Sequence, residues 1–371
     1  MISKGTMVGV LVTADGTVVQ GEGAGAPNTV TGELVFQTGM VGYQEALTDP
    51  SYGGQLLIFT YPLVGNYGTG LFAEQSARIQ PLGAIVSRLM EGHDRRATEQ
   101  LDEALREQGV PALKGVDTRF LTRLVRSHGA LPATLAVGAR EELPDIEELR
   151  RLAASFDYGA TDYVARCSTP QLLWHPPTRP EAPRVALIDY GAKTAMLEKL
   201  QEQGAGVWVV PASMGAEEVL ALQPEGILLS NGPGDPTRIG YAIETVGKLV
   251  EQSRVPVFGI CLGHQLLALA AGGRTSKMRF GHRGINQPVI EIATGRVSIT
   301  TQNHGYVVDP DSVPPDYIIT HTNLNDGTVE GIAHRERPVW GAQWHPEAHP
   351  GPTDTNGLIS SLLAAAEEAR A

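Results

Sequence analysis

The sequence predicts an α/β protein built from a C-terminal doubly wound, mostly parallel sheet and an N-terminal β-rich α/β domain. After residue 184, short apolar strands alternate with helix-length segments, a pattern typical of a parallel sheet wrapped by helices. Before it, short strands alternate with glycine-rich turns. Four prolines within residues 174–183 interrupt both helix and central strand. We therefore predict domains at residues 1–180 and 184–371.

The C-terminal elements follow one another regularly. Strands are predicted at 185–189, 207–210 and 227–230, with a further strand ending at Cys261; helices are predicted at 194–203, 216–222, 242–252 and directly after Cys261. From residue 289 the pattern becomes β-rich, with a turn at 325–327 and a terminal helix at 357–369. Ligands of such sheets bind at the carboxyl ends of the strands, so the residues that follow those strands are the first to inspect.

Composition excludes several classes of function. A formal net charge of -12 with no basic run argues against binding to nucleic acid, whose phosphates would be repelled. Only two cysteines, Cys167 and Cys261, indicate a reducing, cytoplasmic compartment rather than a disulfide framework. No secretory signal and no apolar run of the roughly 18 residues needed for a membrane span are visible, so no membrane partner is expected.

Cys261 lies in the run 255–265 (VPVFGICLGHQ), where an apolar strand passes into a helix. Gly259 and Gly263 permit a tight turn that lifts the side chain out of the sheet, as in a nucleophile elbow. The N-terminus of the helix favours the thiolate, which is the reactive species. A cysteine without context is more often a buried structural residue. The flanking strand, glycines and helix favour a nucleophile instead.

A base for this cysteine is present in the run 340–347 (WGAQWHPE). His345 could take up the thiol proton and later protonate a leaving amine, and Glu347 could hold the ring in the required tautomer. The alternative is a polar turn after a strand, which such residues also favour. A third run, 228–236 (LLSNGPGDP), places glycines where backbone N–H groups could form an oxyanion hole, although Asn-Gly and Pro-Gly pairs commonly form ordinary turns.

Together these three runs resemble the class I glutamine amidotransferases, whose signatures are NGPGDP, FGICLGHQ and HPE. The resemblance implies a catalytic triad of Cys261, His345 and Glu347. It implies hydrolysis of glutamine through a covalent thioester, with the N–H groups of Leu262 and Gly232 as oxyanion donors.

The N-terminal half indicates which amidotransferase family the chain resembles. Residues 32–68, which include LVFQTGM, VGYQE, LTDPSY and TYPLVGN, resemble the small-chain family of glutamine-hydrolysing carbamoyl phosphate synthetases, and so do FGHRGINQP (280–288) and QNHGY (302–306). This resemblance spans nearly the whole chain. The positions that it implies for contact with glutamine are Ser51, Gly232, Gly234, Leu262, Gln265, Asn303, Gly305 and Tyr306. Asn303 and Tyr306 would otherwise be interpreted as a turn residue and a packing aromatic.

The chain has no phosphate-binding G-x-x-x-x-G-K-[ST] motif, and its histidines at 264, 282 and 304 match no zinc spacing. No cofactor and no metal are therefore expected on this chain. The resemblance implies L-glutamine as substrate and, as partner in a heterodimer, a large chain that carries the ATP-binding and Mg²⁺ sites and makes carbamoyl phosphate for arginine and pyrimidine biosynthesis. Domain 1–180 is the expected docking surface for that large chain. Two alternatives remain: the glutaminase component of anthranilate or guanylate synthesis, and a non-enzymatic glutamine-binding protein.

Overall fold

The computed structural model describes residues 7–70 and 73–370. Residue contacts divide the chain into two compact units, Met1–Thr161 and Asp162–Ala371. Residues 1–6, 71–72 and 371, which the predicted domains include, lie outside the described residues.

The first unit is built on a closed barrel. Its strands are β1 (Val8–Thr13), β2 (Val18–Gly25), β3 (Asn28–Gln37), β4 (Gln55–Phe59), β5 (Leu63–Val64), β6 (Gly83–Ile85), β7 (Arg88–Leu89), β8 (Pro111–Lys114) and β9 (Leu131–Gly138). The barrel runs β1-β2-β8-β6-β4-β3-β9 and closes because β9 pairs with β1; β5 and β7 form a separate pair. Closure leaves no unpaired strand edge in the barrel.

The helices of the first unit are α1 (Tyr43–Thr48), α2 (Leu101–Glu107), α3 (Thr118–His128) and α4 (Ile146–Ala154). Asp117 caps α3 by accepting a hydrogen bond from the N–H of Phe120, and Asp145 caps α4 in the same way from Glu148. Each cap supplies a partner for an N–H that the helix itself leaves unpaired. The unit is therefore the predicted β-rich α/β domain.

The second unit contains a ten-stranded sheet among the described residues. Its strands are β10 (Leu173–His175), β11 (Arg184–Asp189), β12 (Gly206–Pro211), β13 (Gly226–Leu229), β14 (Val257–Ile260), β15 (Thr275–Glu291), β16 (Val297–Val308), β17 (Tyr317–Asn323), β18 (Val329–His334) and β19 (Val339–Ala342). The order is β10-β12-β11-β13-β14-β19-β18-β17-β15-β16. The five neighbouring strands β12, β11, β13, β14 and β19 are parallel to one another. All other strand pairs of this sheet are antiparallel.

Helices cover both faces of this sheet. They are α5 (Val164–Cys167), α6 (Thr194–Glu202), α7 (Ala216–Ala221), α8 (Gly240–Gln252), α9 (Leu262–Ala270) and α10 (Gly357–Arg370). Successive residues of β11 point to opposite faces: Val185 and Leu187 pack with α6 and α10, whereas Ala186 and Ile188 pack with α7, α8 and α9. This arrangement confirms the predicted doubly wound α/β fold, with a parallel core of β12, β11, β13, β14 and β19 that antiparallel strands extend. None of the helices within the described ranges is long and apolar enough to cross a membrane.

The boundary between the units lies earlier in the chain than the predicted one, because the segment before the prolines packs on the second unit. Strand β10, within that segment, pairs with β12. The N–H of Ala212 donates to Ser168 Oγ at 2.9 Å, and Val164 belongs to the core of the sheet. The proline-rich stretch 174–183 therefore connects two strands of one unit instead of separating two units.

The β-rich part of the second unit also begins earlier than predicted, at Thr275 instead of residue 289. The first half of β15 is polar, and its register with β16 shifts between Lys277 and His282 and again between Gly284 and Gln287. Bulges of this kind break the two-residue alternation on which strand prediction depends. The turn at 325–327 and the terminal helix are found as predicted.

Four parallel neighbours position the candidate site. Strands β11, β13, β14 and β19 lie side by side, with β13 between β11 and β14 and with β14 between β13 and β19. Their carboxyl ends meet at one edge of the sheet, because the strands run in the same direction. Consequently the segments after Asp189, Leu229, Ile260 and Ala342 converge there.

Candidate active site

Cys261 occupies a sharp turn between β14 and α9. Its backbone has φ 53 and ψ -102, a conformation that residues with a side chain rarely adopt. The Cys261 N–H donates to Ala342 O at 2.8 Å, which fixes the turn against β19. Strained backbone of this kind persists only where the surroundings determine it, and it concentrates at functional sites. The observed turn matches the nucleophile elbow that the sequence predicts.

The two glycines beside Cys261 have no room for a side chain. A Cβ at Gly263 would lie 2.3 Å from the carbonyl oxygen of Leu229, and one at Gly259 would lie 2.6 Å from the carbonyl of Gly263. The Gly263 N–H donates to Ser230 O at 3.0 Å. Strand, turn and helix are thus packed backbone to backbone, which is the close approach for which glycine is required.

His345 and Glu347 form a buried pair directly after β19. His345 Nδ1 lies 2.6 Å from Glu347 Oε1, and the side chains are 1% and 0% exposed. Burial alone would lower the pKa of His345, but the Glu347 carboxylate and the Cys261 side chain raise it to about 10. His345 Nε2 has no hydrogen-bond partner among the described residues. The ring is therefore oriented by Glu347, charged at neutral pH, and close to the cysteine.

Lys193 is a member of this site that sequence reasoning missed. Its ammonium lies 3.1 Å from Glu347 Oε1, with both side chains almost completely buried, and it also donates to the carbonyl oxygen of Ala348. Burial would raise the pKa of Glu347, but Lys193 and then His345 lower it to about 2. The available signal was a lysine shortly after the apolar strand β11, at the same sheet edge as Cys261. A lysine before a helix ordinarily indicates a solvent-exposed residue.

The glycine loop after β13 lies against the helix that follows Cys261. A Cβ at Gly232 would lie 2.3 Å from the carbonyl oxygen of Tyr190 and 2.8 Å from Leu262 Cδ2. Gly234 has φ 99, which favours glycine. The two predicted oxyanion donors, the N–H groups of Leu262 and Gly232, therefore belong to neighbouring segments.

Gln265 and the segment 303–306 are linked to each other and to Cys261. Gln265 Nε2 donates to Tyr306 O at 2.8 Å and to Gln343 Oε1 at 3.0 Å. Cys261 Sγ lies 3.7 Å from Asn303 O. Gly305 lies beside Arg283, whose guanidinium would be 3.2 Å from a Cβ at this position. The second unit thus brings these predicted residues together, whereas Ser51 lies in the first unit, buried, with its N–H donating to Asp49 Oδ1. Their contact with glutamine stays a prediction.

A second buried polar cluster lies among β15, β16 and β18. His282, His304 and Glu330 each offer an atom of a kind that binds metals, and these atoms lie within 4.8 Å of one another. His264 is not a member of this cluster, and burial lowers its pKa to about 3. The expectation that this chain binds no metal and no cofactor stays a prediction.

Comparison with known proteins gives matches in both halves of the chain. Residues 186–365 match the family described as "Glutamine amidotransferase class-I", and residues 11–135 match "Carbamoyl-phosphate synthase small chain, CPSase domain". The chain is 47% identical to the carbamoyl phosphate synthase small chain of Symbiobacterium thermophilum, covering 94% of this chain and 96% of the relative. It is 46% identical to that of Thermus thermophilus (95% and 92% covered) and 44% identical to that of Methanopyrus kandleri (98% and 100%).

Proposed function

The chain belongs to the carbamoyl phosphate synthase small-chain family, and from this membership we propose that it hydrolyses glutamine at Cys261 and delivers the ammonia to a large chain that makes carbamoyl phosphate from bicarbonate and ATP. It is a glutamine amidotransferase. The observation that supports the proposal is the strained turn at Cys261 together with the interaction of its side chain with His345, which is paired with Glu347.

The proposed reaction begins with attack of the Cys261 sulfur on the side-chain amide carbon of glutamine. A C–S bond forms, and the carbonyl oxygen becomes an oxyanion that the N–H groups of Leu262 and Gly232 stabilise. The C–N bond then breaks, and His345 gives its proton to the departing ammonia. Water attacks the resulting thioester, His345 takes up a proton from that water, and glutamate leaves as the C–S bond breaks.

The charges around His345 suit this sequence of steps. Because the pKa of His345 is raised to about 10, the ring carries a proton at neutral pH and can act as the acid that releases ammonia. Glu347 stabilises the protonated ring through Nδ1, which leaves Nε2 for proton transfer. Lys193 keeps Glu347 ionised despite its complete burial. Lys193, Glu347 and His345 thus form a row of alternating charges, in which the carboxylate of Glu347 lies between the two cations.

Synthesis of carbamoyl phosphate needs a partner, since this chain has no phosphate-binding motif and is strongly acidic. We assign ATP and Mg²⁺ to the large chain, and we assign the docking of that chain to the first unit. Two free cysteines fit a cytoplasmic enzyme, and arginine and pyrimidine biosynthesis are the pathways that consume carbamoyl phosphate in this proposal. The match of residues 11–135 to the small-chain domain argues against the glutaminase components of anthranilate and guanylate synthesis.

The experiment mixes the purified chain with the large chain, ATP, bicarbonate and glutamine, and follows glutamate and carbamoyl phosphate together. Alone, the chain should hydrolyse glutamine slowly and make no carbamoyl phosphate; with the large chain, both products should form in step. Carbamoyl phosphate formed by this chain without the partner, or no glutamine hydrolysis in the complex, would overturn the proposal.

A further inference from the structure

We propose that a buried ion pair between Glu330 and His282 positions the segment 302–306 for glutamine binding. The pair lies on β18 and β15, and Gln302 connects it to the segment on β16. This inference rests on the proposed glutaminase function and adds two positioning residues to it. Neither residue belongs to the row of Cys261, His345, Glu347 and Lys193.

Glu330 is a carboxylate without access to water. Its side chain is 0% exposed, and its Oε1 accepts a hydrogen bond from Asn323 Nδ2 at 2.9 Å. Oε2 has no hydrogen-bond partner among the described residues. A buried carboxylate is costly unless a positive charge or several donors compensate it. The ring of His282 is the titratable group beside it, with Nδ1 3.5 Å from Oε1.

Both ring nitrogens of His282 face oxygen atoms. Nε2 lies 2.8 Å from Asp326 Oδ2, and Nδ1 lies 3.0 Å from Gln302 Oε1. A neutral imidazole donates from one nitrogen only, whereas an imidazolium donates from both. Burial lowers the pKa of His282, but Glu330 and Asp326 outweigh that effect and raise it above the ordinary value. The carboxylates of Asp326 and Glu330, which lie 2.8 Å and 3.5 Å from the ring nitrogens, therefore favour the protonated form of His282.

Gln302 transmits this arrangement to the site. The oxygen that faces His282 Nδ1 also lies 2.9 Å from His304 Nε2, and His304 Nδ1 lies 2.9 Å from Tyr306 O. Burial and the neighbouring His282 lower the pKa of His304 well below its ordinary value, so this ring is neutral and donates from only one of its two nitrogens. His282 and His304 thereby contact both ends of the segment 302–306, in which the carbonyl oxygen of Asn303 lies 3.7 Å from the sulfur of Cys261.

A metal ion is the alternative explanation for the same three side chains. A metal ligand needs a lone pair on its nitrogen, whereas both nitrogens of His282 lie at hydrogen-bond distance from oxygens outside the cluster, those of Asp326 and Gln302. The polar contacts therefore favour hydrogen bonding over ligation. Activity that depends on a bound metal ion would contradict the proposed ion pair.

The test compares His282→Gln, Glu330→Gln and the double variant in the full chain assembled with its large chain, with KM and kcat for glutamine measured separately. His282→Gln leaves the carboxylate of Glu330 buried without its cation, so we expect the larger effect there, a rise in KM of about tenfold or more with kcat changed less than about threefold. Glu330→Gln leaves His282 paired with Asp326 and should raise KM less. Adding Glu330→Gln to His282→Gln should restore much of the lost affinity, because no charge is then stranded.

Controls separate positioning from general destabilisation. Glu291→Gln removes a partly exposed carboxylate at the end of β15, and His334→Asn removes a histidine at the end of β18; both should leave KM and kcat unchanged. Thermal melting reports whether each variant folds. If His282→Gln does not fold, the double variant is compared with Glu330→Gln instead. The double variant leaves no buried charge without a partner, so its KM should differ from that of Glu330→Gln by less than about threefold.

Several outcomes would overturn the inference. They are a KM of His282→Gln within about twofold of the wild type, KM effects that multiply in the double variant, or a loss of activity on EDTA dialysis that zinc restores. The proposed function fails in a distinguishable way, because the wild-type complex would then show no glutamine hydrolysis at all.

Discussion

The ammonium of Lys193 lies 3.1 Å from the carboxylate of Glu347, and both side chains are almost completely buried. Together with the 2.6 Å contact between Glu347 and His345, this pair forms a row of alternating charges that ends near Cys261. A row of this kind in a low-dielectric interior is stable only while every charge keeps its partner. The protonation state of His345 thus depends on a lysine that does not touch it directly.

Replacement of Lys193 tests this dependence. In Lys193→Met, burial acts on Glu347 without its main counter-charge, so the pKa of Glu347 rises from about 2 toward or above its ordinary range. The acid limb of the pH profile of glutamine kcat/KM should therefore move to higher pH, and kcat should fall by about tenfold or more at pH 7. Lys248→Met, which removes an exposed lysine paired with Glu244, is the control and should leave the profile unchanged. An unshifted acid limb in Lys193→Met would contradict this role.

His345 and Glu347 should act as one unit. His345→Asn removes the acid and base and should reduce glutamine turnover by about a hundredfold or more. Glu347→Ala removes the orienting group and the counter-charge of Lys193 but keeps the acid and base, and should be milder. The double variant should be little worse than His345→Asn alone, because Glu347 acts through the ring. The steady-state glutaminase rates of the three variants are the measurement. If the fold-loss of the double variant equalled the product of the two single fold-losses, His345 and Glu347 would act independently.

The raised pKa of His345 also affects stability. A group whose folded pKa of about 10 exceeds its ordinary value of 6.5 contributes stability that is complete below pH 6.5 and is lost as pH rises toward 10. The free energy of unfolding of the wild type, measured by urea titration, should therefore decrease between these pH values. His345→Asn should show a smaller decrease over the same window. Parallel curves for the two proteins would show that the pKa of this histidine is not raised by folding.

Gly263 tests the packing of the elbow. In Gly263→Ala the new Cβ would meet the carbonyl oxygen of Leu229 at 2.3 Å, so strand β13 and helix α9 must separate. We expect a loss of about 2 kcal/mol or more in the free energy of unfolding, together with loss of glutaminase activity. Gly240→Ala, at the start of α8 with open space around it, should leave both unchanged. Equal behaviour of the two variants would contradict the packing argument.

The fold of the second unit could be predicted because its signals are local. Apolar strands and amphipathic helices have characteristic periods, and a glycine on each side of Cys261 indicates a tight turn. The position of Cys261 at the carboxyl end of a parallel strand could be predicted from the alternation of strands and helices, whereas the parallel pairing of β19 that brings His345 to the same edge is seen only in the structure.

Other features depend on contacts that the sequence does not reveal. Lys193 escaped prediction because only the fold buries it against Glu347. The start of β15 was not predicted because bulges interrupt the two-residue alternation of its side chains. The closed barrel could not be derived from short strands, since closure depends on the pairing of β9 with β1 across most of the first unit. The unit boundary was misplaced because β10 pairs across the proline-rich segment.

The central claim is that Cys261 is the nucleophile, and glutamine hydrolysis by Cys261→Ser in the assembled complex tests it most directly. A hydroxyl is far harder to deprotonate than a thiol, so we predict that glutamine-dependent synthesis of carbamoyl phosphate falls by about a thousandfold or more, while synthesis from added ammonia is retained. Retained ammonia-dependent synthesis also shows that the variant still folds and assembles. Glutamine turnover above about a tenth of the wild-type rate would contradict the assignment, since loss of a nucleophile costs far more than that.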